Sequence, residues 1–146
     1  MTRLVEGQKI DGFVVHECVH SGGMAYIYKV EYDTEEGQPN KTPGFEMVMK
    51  IPRMREGDSG ENIISFEIER QILPAVTGPF VPKFVAAGDL DNLPYLVMEY
   101  VDGPSLSRVL RSDGPFHPRR AAEIAAEVAA EGILANCVSP GFIETD

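Results

Sequence analysis

The 146-residue sequence has two cysteines and few basic residues, and each shortage closes off a class of protein. Cys18 and Cys137 stand far apart with no CxxC spacing, so neither a zinc site nor a disulfide framework is expected. That cysteine usage fits a reducing, cytoplasmic setting. Thirteen Lys and Arg against 23 Asp and Glu leave a net charge of −10, and no basic stretch is concentrated enough to meet nucleic-acid phosphates. No window approaches the roughly 20 apolar residues of a membrane span. The opening residues, Met1 to Lys9, lack the apolar core of a signal peptide, so neither a nucleic acid nor a membrane is an expected partner. With 43% hydrophobic residues the chain is not starved of core material. Its length suits one domain, or a small domain plus part of another.

What is present starts with a glycine pair between two alternating runs. Phe13-Val14-Val15 opens a strand over residues 13–19, Gly22-Gly23 turns it, and residues 25–32 return with Ala25, Ile27 and Lys29 on one parity and Tyr26, Tyr28 and Val30 on the other. Residues 1–12 read as a polar lead-in ending at Asp11-Gly12, and 33–44 as a Gly/Pro/Asn/Asp loop. A third strand is expected over 45–51, stopped by Pro52. A helix follows from about 61 to 73, ended by Pro74. On that helix Ile64, Phe66, Ile68, Ile72 and Leu73 share one broad apolar arc. Glu69 falls inside the arc and Glu67 outside, and a carboxylate in an apolar arc needs a partner.

Strands over 84–88 and 95–99 come next, then a break at Asp102-Gly103-Pro104 and a short helix over 105–111 capped by Ser105. An alanine-rich helix is expected from Pro118 to about 131, and a strand and turn over 133–141. His16, His20 and His117 have no ligand spacing and read as incidental. The order gives an α+β fold, an antiparallel sheet of five strands with one packed helix, followed by a helical region.

Three parts of this chain together can serve a phosphate group. Glycines let backbone N–H groups come close, a lysine supplies positive charge, and a carboxylate aims the lysine. Gly22-Gly23, Lys50 on the third strand and Glu69 on the helix provide them in that order. Gly22-Gly23 as a plain turn, and Lys50–Glu69 as an ion pair that only ties helix to sheet, remain open alternatives.

In these stretches the chain resembles the small lobe of bacterial-type serine/threonine protein kinases. Ser21-Gly-Gly-Met-Ala-Tyr-Ile-Tyr28 resembles the family's glycine-rich loop, Met47-Val-Met-Lys50 its lysine strand, and Phe66-Glu-Ile-Glu69 its helix glutamate. Tyr95-Leu-Val-Met-Glu-Tyr-Val-Asp-Gly-Pro-Ser-Leu106 is similar to its hinge. The resemblance implies a small lobe over residues 1–98, a hinge over 99–104, the first helices of a large lobe over 105–131 and an atypical tail over 132–146. It also implies ATP as cofactor. Gly22, Gly23 and Ala25 would cover the phosphates, and Ile27 and Val48 would pack on the adenine. Lys50 would hold the α- and β-phosphates with Glu69 fixing its ammonium, and Met98 would be the gatekeeper. Glu99 and Val101 would bond the adenine edge through their backbones, and Ser105 would lie near the ribose. His20 stands where the family has its first glycine, Ala25 where it has its third, and Val48 where a smaller alanine is common beside adenine.

The family's catalytic loop, His-Arg-Asp with a later Asn, and its Asp-Phe-Gly are absent from the sequence. These supply the catalytic aspartate and the magnesium ligands, so Mg2+ belongs to a complete kinase domain, and this chain alone is expected to be inactive in transfer. Forced onto that loop, residues 132–143 describe a pseudokinase. Without gaps, residues 126–146 resemble the late helix–strand–turn of short-chain dehydrogenases, in which Pro140, Gly141, Ile143 and Thr145 would lie near the cofactor. Yet that family's TGxxxGxG loop is missing, and no tyrosine has a lysine four residues on. The expected molecule is therefore a truncated kinase-like, ATP-binding domain. The alternatives are a non-catalytic interaction module, using faces left uncovered at Leu106, Leu110, Ile124 and Val128, and more remotely a dehydrogenase fragment.

Overall fold

The computed structural model describes residues 3–34, 43–54, 60–89 and 91–130. Six strands, β1 (Lys9–Ile10), β2 (Phe13–Ser21), β3 (Ala25–Tyr32), β4 (Met47–Pro52), β5 (Phe84–Ala87) and β6 (Leu96–Glu99), form one antiparallel sheet in the order β1-β2-β3-β4-β6-β5. Three helices accompany it: α1 (Glu61–Ile72), continued by a 3-10 turn at Leu73–Ala75, α2 (Leu106–Asp113) and α3 (Pro118–Ala130). The sheet has one strand more than the five expected. The extra one, β1, is two residues long and pairs with β2 through the Asp11-Gly12 turn. Both turn residues have positive φ, 48° and 84°, as a two-residue hairpin matching the strand twist requires.

Period-two alternation sorts the strand side chains onto two faces. Tyr28, Met49 and Val97 lie in one cross-strand row and belong to a buried cluster with Phe13, Val15, Val30, Met47, Ile51 and Tyr95. The opposite face carries Val48, Leu96 and Met98, which pack with Phe66 and Leu73 from the α1 segment. Helix α1 thus sits on the second face only.

The apolar arc expected on α1 splits in two. Phe66 and Leu73 are buried, but Ile64, Ile68 and Ile72 are 60%, 52% and 51% exposed. The arc is wider than the strip one sheet can cover, and the helix turns toward the sheet the side that carries Phe66, Leu73 and Glu69 together. Gly60, with φ of 75°, starts the helix without a side-chain cap, and its carbonyl accepts from the amides of Ile63 and Ile64.

The chain divides into two units, Met1–Ala75 with Pro82–Tyr100, and Val76–Val81 with Val101–Asp146. The first holds the sheet and α1. In the second, the Ser105 hydroxyl caps α2 by accepting from the Arg108 amide at 3.2 Å. His117 does the same for α3, its Nδ1 accepting from the Arg119 amide at 3.3 Å, so this histidine has a structural task. Ile124 is buried, contrary to the uncovered face expected there, while Leu106 is exposed. The side chain of Val128, and the strand and turn expected over 133–141, lie outside the described residues. Among the described residues no helix is long and apolar enough to cross a membrane.

Tyr95, just ahead of β6, links that strand to the turn between β1 and β2. Its ring is buried edge-on to Phe13, and its hydroxyl donates to Asp11 Oδ2 at 2.8 Å. Burial first, and the bond to Asp11 second, push its phenol above the ordinary tyrosine range. An unfolded tyrosine titrates near pH 10, so above about that pH the unfolded chain releases this proton first and stability falls as pH rises. Tyr95→Phe is expected to lose about 1.5 kcal/mol at neutral pH, the lower end for a bond to a charged acceptor, because Asp11 is open to water. Urea unfolding at pH 7 and pH 11 checks both points, and the variant should show the shallower alkaline decline.

Candidate functional site

On the α1-covered face of the sheet, Ile27, Lys50 and Leu96 form one cross-strand row, and Lys29, Val48 and Met98 the next. The β2–β3 turn at residues 22–24 rises from the end of the first row. Lys50 therefore emerges from an apolar floor made by Ile27, Val48, Leu96 and Met98. Its Nζ donates to Glu69 Oε2 at 2.5 Å, and the two side chains are 26% and 37% exposed. Glu69 lies three residues after Phe66, so the contact that seats the helix also aims the carboxylate.

Glu67 is engaged elsewhere. Its carboxylate accepts from Arg70 Nε and Nη2 at 2.8 and 2.7 Å and from Gln71 Nε2 at 3.0 Å. The Arg70 bond first, and the Gln71 bond second, hold its carboxyl below the usual range. One helix thus separates two glutamates by role, one satisfied along its own surface and one given to the sheet.

The glycine turn is closed by the Gly22 amide donating to the Ala25 carbonyl at 3.1 Å. Neither Gly22 nor Gly23 has a positive φ. What glycine provides here is space rather than dihedral freedom. A Cβ on Gly23 would meet nothing within 4 Å, whereas one on Gly22 would lie 2.7 Å from Nε2 of His20. His20 thus lies against Gly22 across the turn. Ala25 is buried at the foot of β3.

The structure brings Ile27, Val48, Lys50, Glu69 and Met98 together on one face, with Gly22, Gly23 and Ala25 at its edge. Glu99 ends β6 opposite Met47, on the other row parity, and its Oε2 accepts from the Lys83 amide at 3.2 Å. Val101 and Ser105 belong to the second unit, where Val101 is exposed and Ser105 serves as the α2 cap. A grouping not anticipated from the sequence is that of Arg3, Ser21, Tyr26 and Arg53, on the reverse face of the same hairpin. Strand register sets Ser21 opposite Tyr26, and Arg3 and Arg53 reach the pair from segments outside the strands. Among the described residues no cluster of three His, Cys, Asp or Glu side chains could hold a metal ion.

This arrangement, an antiparallel sheet with one helix delivering a glutamate to a strand lysine, is a kinase-domain-like fold. The fold matches the crystal structure of the Mycobacterium tuberculosis PknI kinase domain with a TM-score of 0.64 at 20% identity, covering 88% of this chain and 50% of that one. In sequence the chain is similar to the serine/threonine-protein kinase PrkC of Bacillus subtilis, 28% identical over 125 residues, which is 85% of this chain and 18% of the relative. It is also 40% identical over 91 residues to the serine/threonine-protein kinase PknB of Mycolicibacterium smegmatis, covering 55% of this chain and 15% of the relative. The chain thus spans less than a fifth of these curated relatives and half of the solved kinase domain. No family model matches it.

Proposed function

We propose that this chain is a protein-kinase-like domain that binds an adenine nucleotide and does not transfer phosphate by itself. The observation that carries the reading is the Lys50–Glu69 contact over the floor of Ile27, Val48 and Met98. A lysine held by one carboxylate keeps N–H donors for phosphate oxygens, and its ammonium stays in place without a costly search of rotamers. The apolar floor suits the flat face of a base, and the open space above Gly23 suits close approach of backbone to phosphate. Val48 narrows the slot relative to an alanine, which favours modest affinity.

Transfer needs more than binding. A catalytic carboxylate must orient the acceptor hydroxyl, and two further side chains must hold magnesium, which neutralises the charge developing on the phosphoryl group. The sequence contains neither His-Arg-Asp nor Asp-Phe-Gly. Lys50, Glu69 and the glycine turn bind and orient only. In a longer protein that supplied those motifs, the same face would serve transfer of the γ-phosphate to serine or threonine. The test is a thermal melt with magnesium–ATP. At about 100 times the dissociation constant, binding to the folded state alone adds about 2.7 kcal/mol. The absence of any shift at millimolar ATP overturns the reading.

A second reading, that of a non-catalytic interaction module, draws on the stripe of Ile64, Ile68 and Ile72 along the outer side of α1. Such a stripe favours self-association through this helix. Light scattering is then expected to show a mass above the monomer that falls to the monomer in Ile68→Glu. A monomer at all concentrations removes this reading.

A further inference from the structure

On the sheet face opposite Lys50, two arginines from distant parts of the chain converge on one serine hydroxyl. Ser21 is the last residue of β2 and stands in register with Tyr26 of β3, which itself pairs with Ile51 of β4. Nη2 of Arg53 donates to Ser21 Oγ at 2.8 Å, and Nη2 of Arg3 to the same oxygen at 3.3 Å. Both guanidinium groups lie over the Tyr26 ring, Arg53 at 4.2 Å and Arg3 at 5.3 Å from its centroid. The Arg53 amide donates to the Met24 carbonyl at 2.8 Å, which fixes this arginine to the tip of the glycine turn.

The donors exceed the acceptors. A guanidinium carries five N–H groups and a hydroxyl oxygen two lone pairs, so Ser21 satisfies a small part of what converges on it. Nε of Arg53 is buried and has no hydrogen-bond partner among the described residues. Among the described residues neither arginine forms an ion pair with a carboxylate, in a chain with 23 acidic residues against 13 basic ones. Two positive charges with no carboxylate partner among the described residues, aimed at an exposed hydroxyl, form a receptor suited to an anion. A phosphate on that oxygen would bring three acceptor oxygens and a charge of about −1.5 to −2 within reach of both forks.

We propose that Ser21 is a phosphorylation site whose phosphate is clamped between Arg3 and Arg53, pinning the mouth of the glycine hairpin. The phosphate comes from a nucleoside triphosphate with magnesium, held by a separate serine/threonine kinase. The Ser21 Oγ–phosphorus bond forms, the bond from the γ-phosphorus to the bridging oxygen breaks, the nucleoside diphosphate leaves, and the hydroxyl proton passes to that kinase's carboxylate base. Register sends Ser21 to the Tyr26 face and Ile27 and Lys50 to the other, so the clamp stiffens the turn without occupying the Lys50 face. The inference is independent of whether that face binds nucleotide.

The test encodes phosphoserine at position 21 of the full chain and titrates it by 31P NMR. A free phosphoserine has its second pKa near about 6. Two guanidinium partners are expected to lower it by about one unit or more, and Arg3→Gln with Arg53→Gln to return it to the ordinary value. The urea midpoint should rise with phosphate in the parent and not in the double variant. If that variant does not fold, Arg3→Gln alone, at an exposed residue, should recover part of the shift. An identical pKa with and without the arginines overturns the clamp. Mass spectrometry of the chain isolated from its own cells with phosphatases inhibited should find phosphate on Ser21, and its absence there overturns the modification.

Discussion

Phe66→Ala is expected to lower the unfolding free energy by about 3–5 kcal/mol, the range for deleting a fully buried aromatic. Phe66 is the buried residue of α1, 3% exposed, and it packs with Val48, Leu73, Leu96 and Met98. A cavity at this point lies between the helix and the sheet, where few other contacts can close it. The loss should extend to function, because Glu69 follows Phe66 by three residues and reaches Lys50 only while the helix is seated. Ile68→Ala, two residues along and half exposed, is the control and should stay within about 0.5 kcal/mol. Urea midpoints of the two variants read the difference directly. Equal losses would mean that the outer stripe, not Phe66, holds the helix.

Much of the sheet is legible in the sequence because period two is a local property. The strand expected over residues 25–32 is the one observed, and the β2, β4, β5 and β6 boundaries move by no more than two residues. β1 was hidden because two residues cannot display alternation. Its signal was Asp11-Gly12, a dipeptide suited to a two-residue hairpin, which reads as the end of a lead-in unless a partner strand is sought on its N-terminal side. Helix α1 was legible in its extent but not in its rotation. Hydrophobicity alone could not say which part of an overly broad arc faces the sheet, whereas Glu69 could, since a carboxylate pointing to solvent needs no lysine. The Arg3–Ser21–Arg53 grouping was not legible at all. Arg3 and Arg53 are separated from Ser21 by 18 and 32 residues and lie outside the strands, so only the folded chain unites them.

Lys50→Met is expected to abolish the stabilisation by magnesium–ATP while leaving the apo protein close to its original stability. The two effects separate because the Lys50–Glu69 pair is partly exposed, at 26% and 37%, and an ion pair so screened is worth about 0–1 kcal/mol. Methionine keeps most of the lysine stem, so the floor of Ile27, Val48 and Met98 is not opened. The ammonium is then missed only when a phosphate is present, and its loss removes the full shift of about 2.7 kcal/mol seen at 100 times the dissociation constant. Glu69→Gln should give an intermediate result, because an amide oxygen still accepts from Lys50 Nζ but no longer anchors its charge. The double variant should be no worse than Lys50→Met, since a glutamate whose task is to aim a lysine has no task once the lysine is gone. The opposite pattern, in which both single variants lose stability and ATP still raises the melting temperature of each, would make the pair a stitch between α1 and β4 and move the phosphate contact elsewhere.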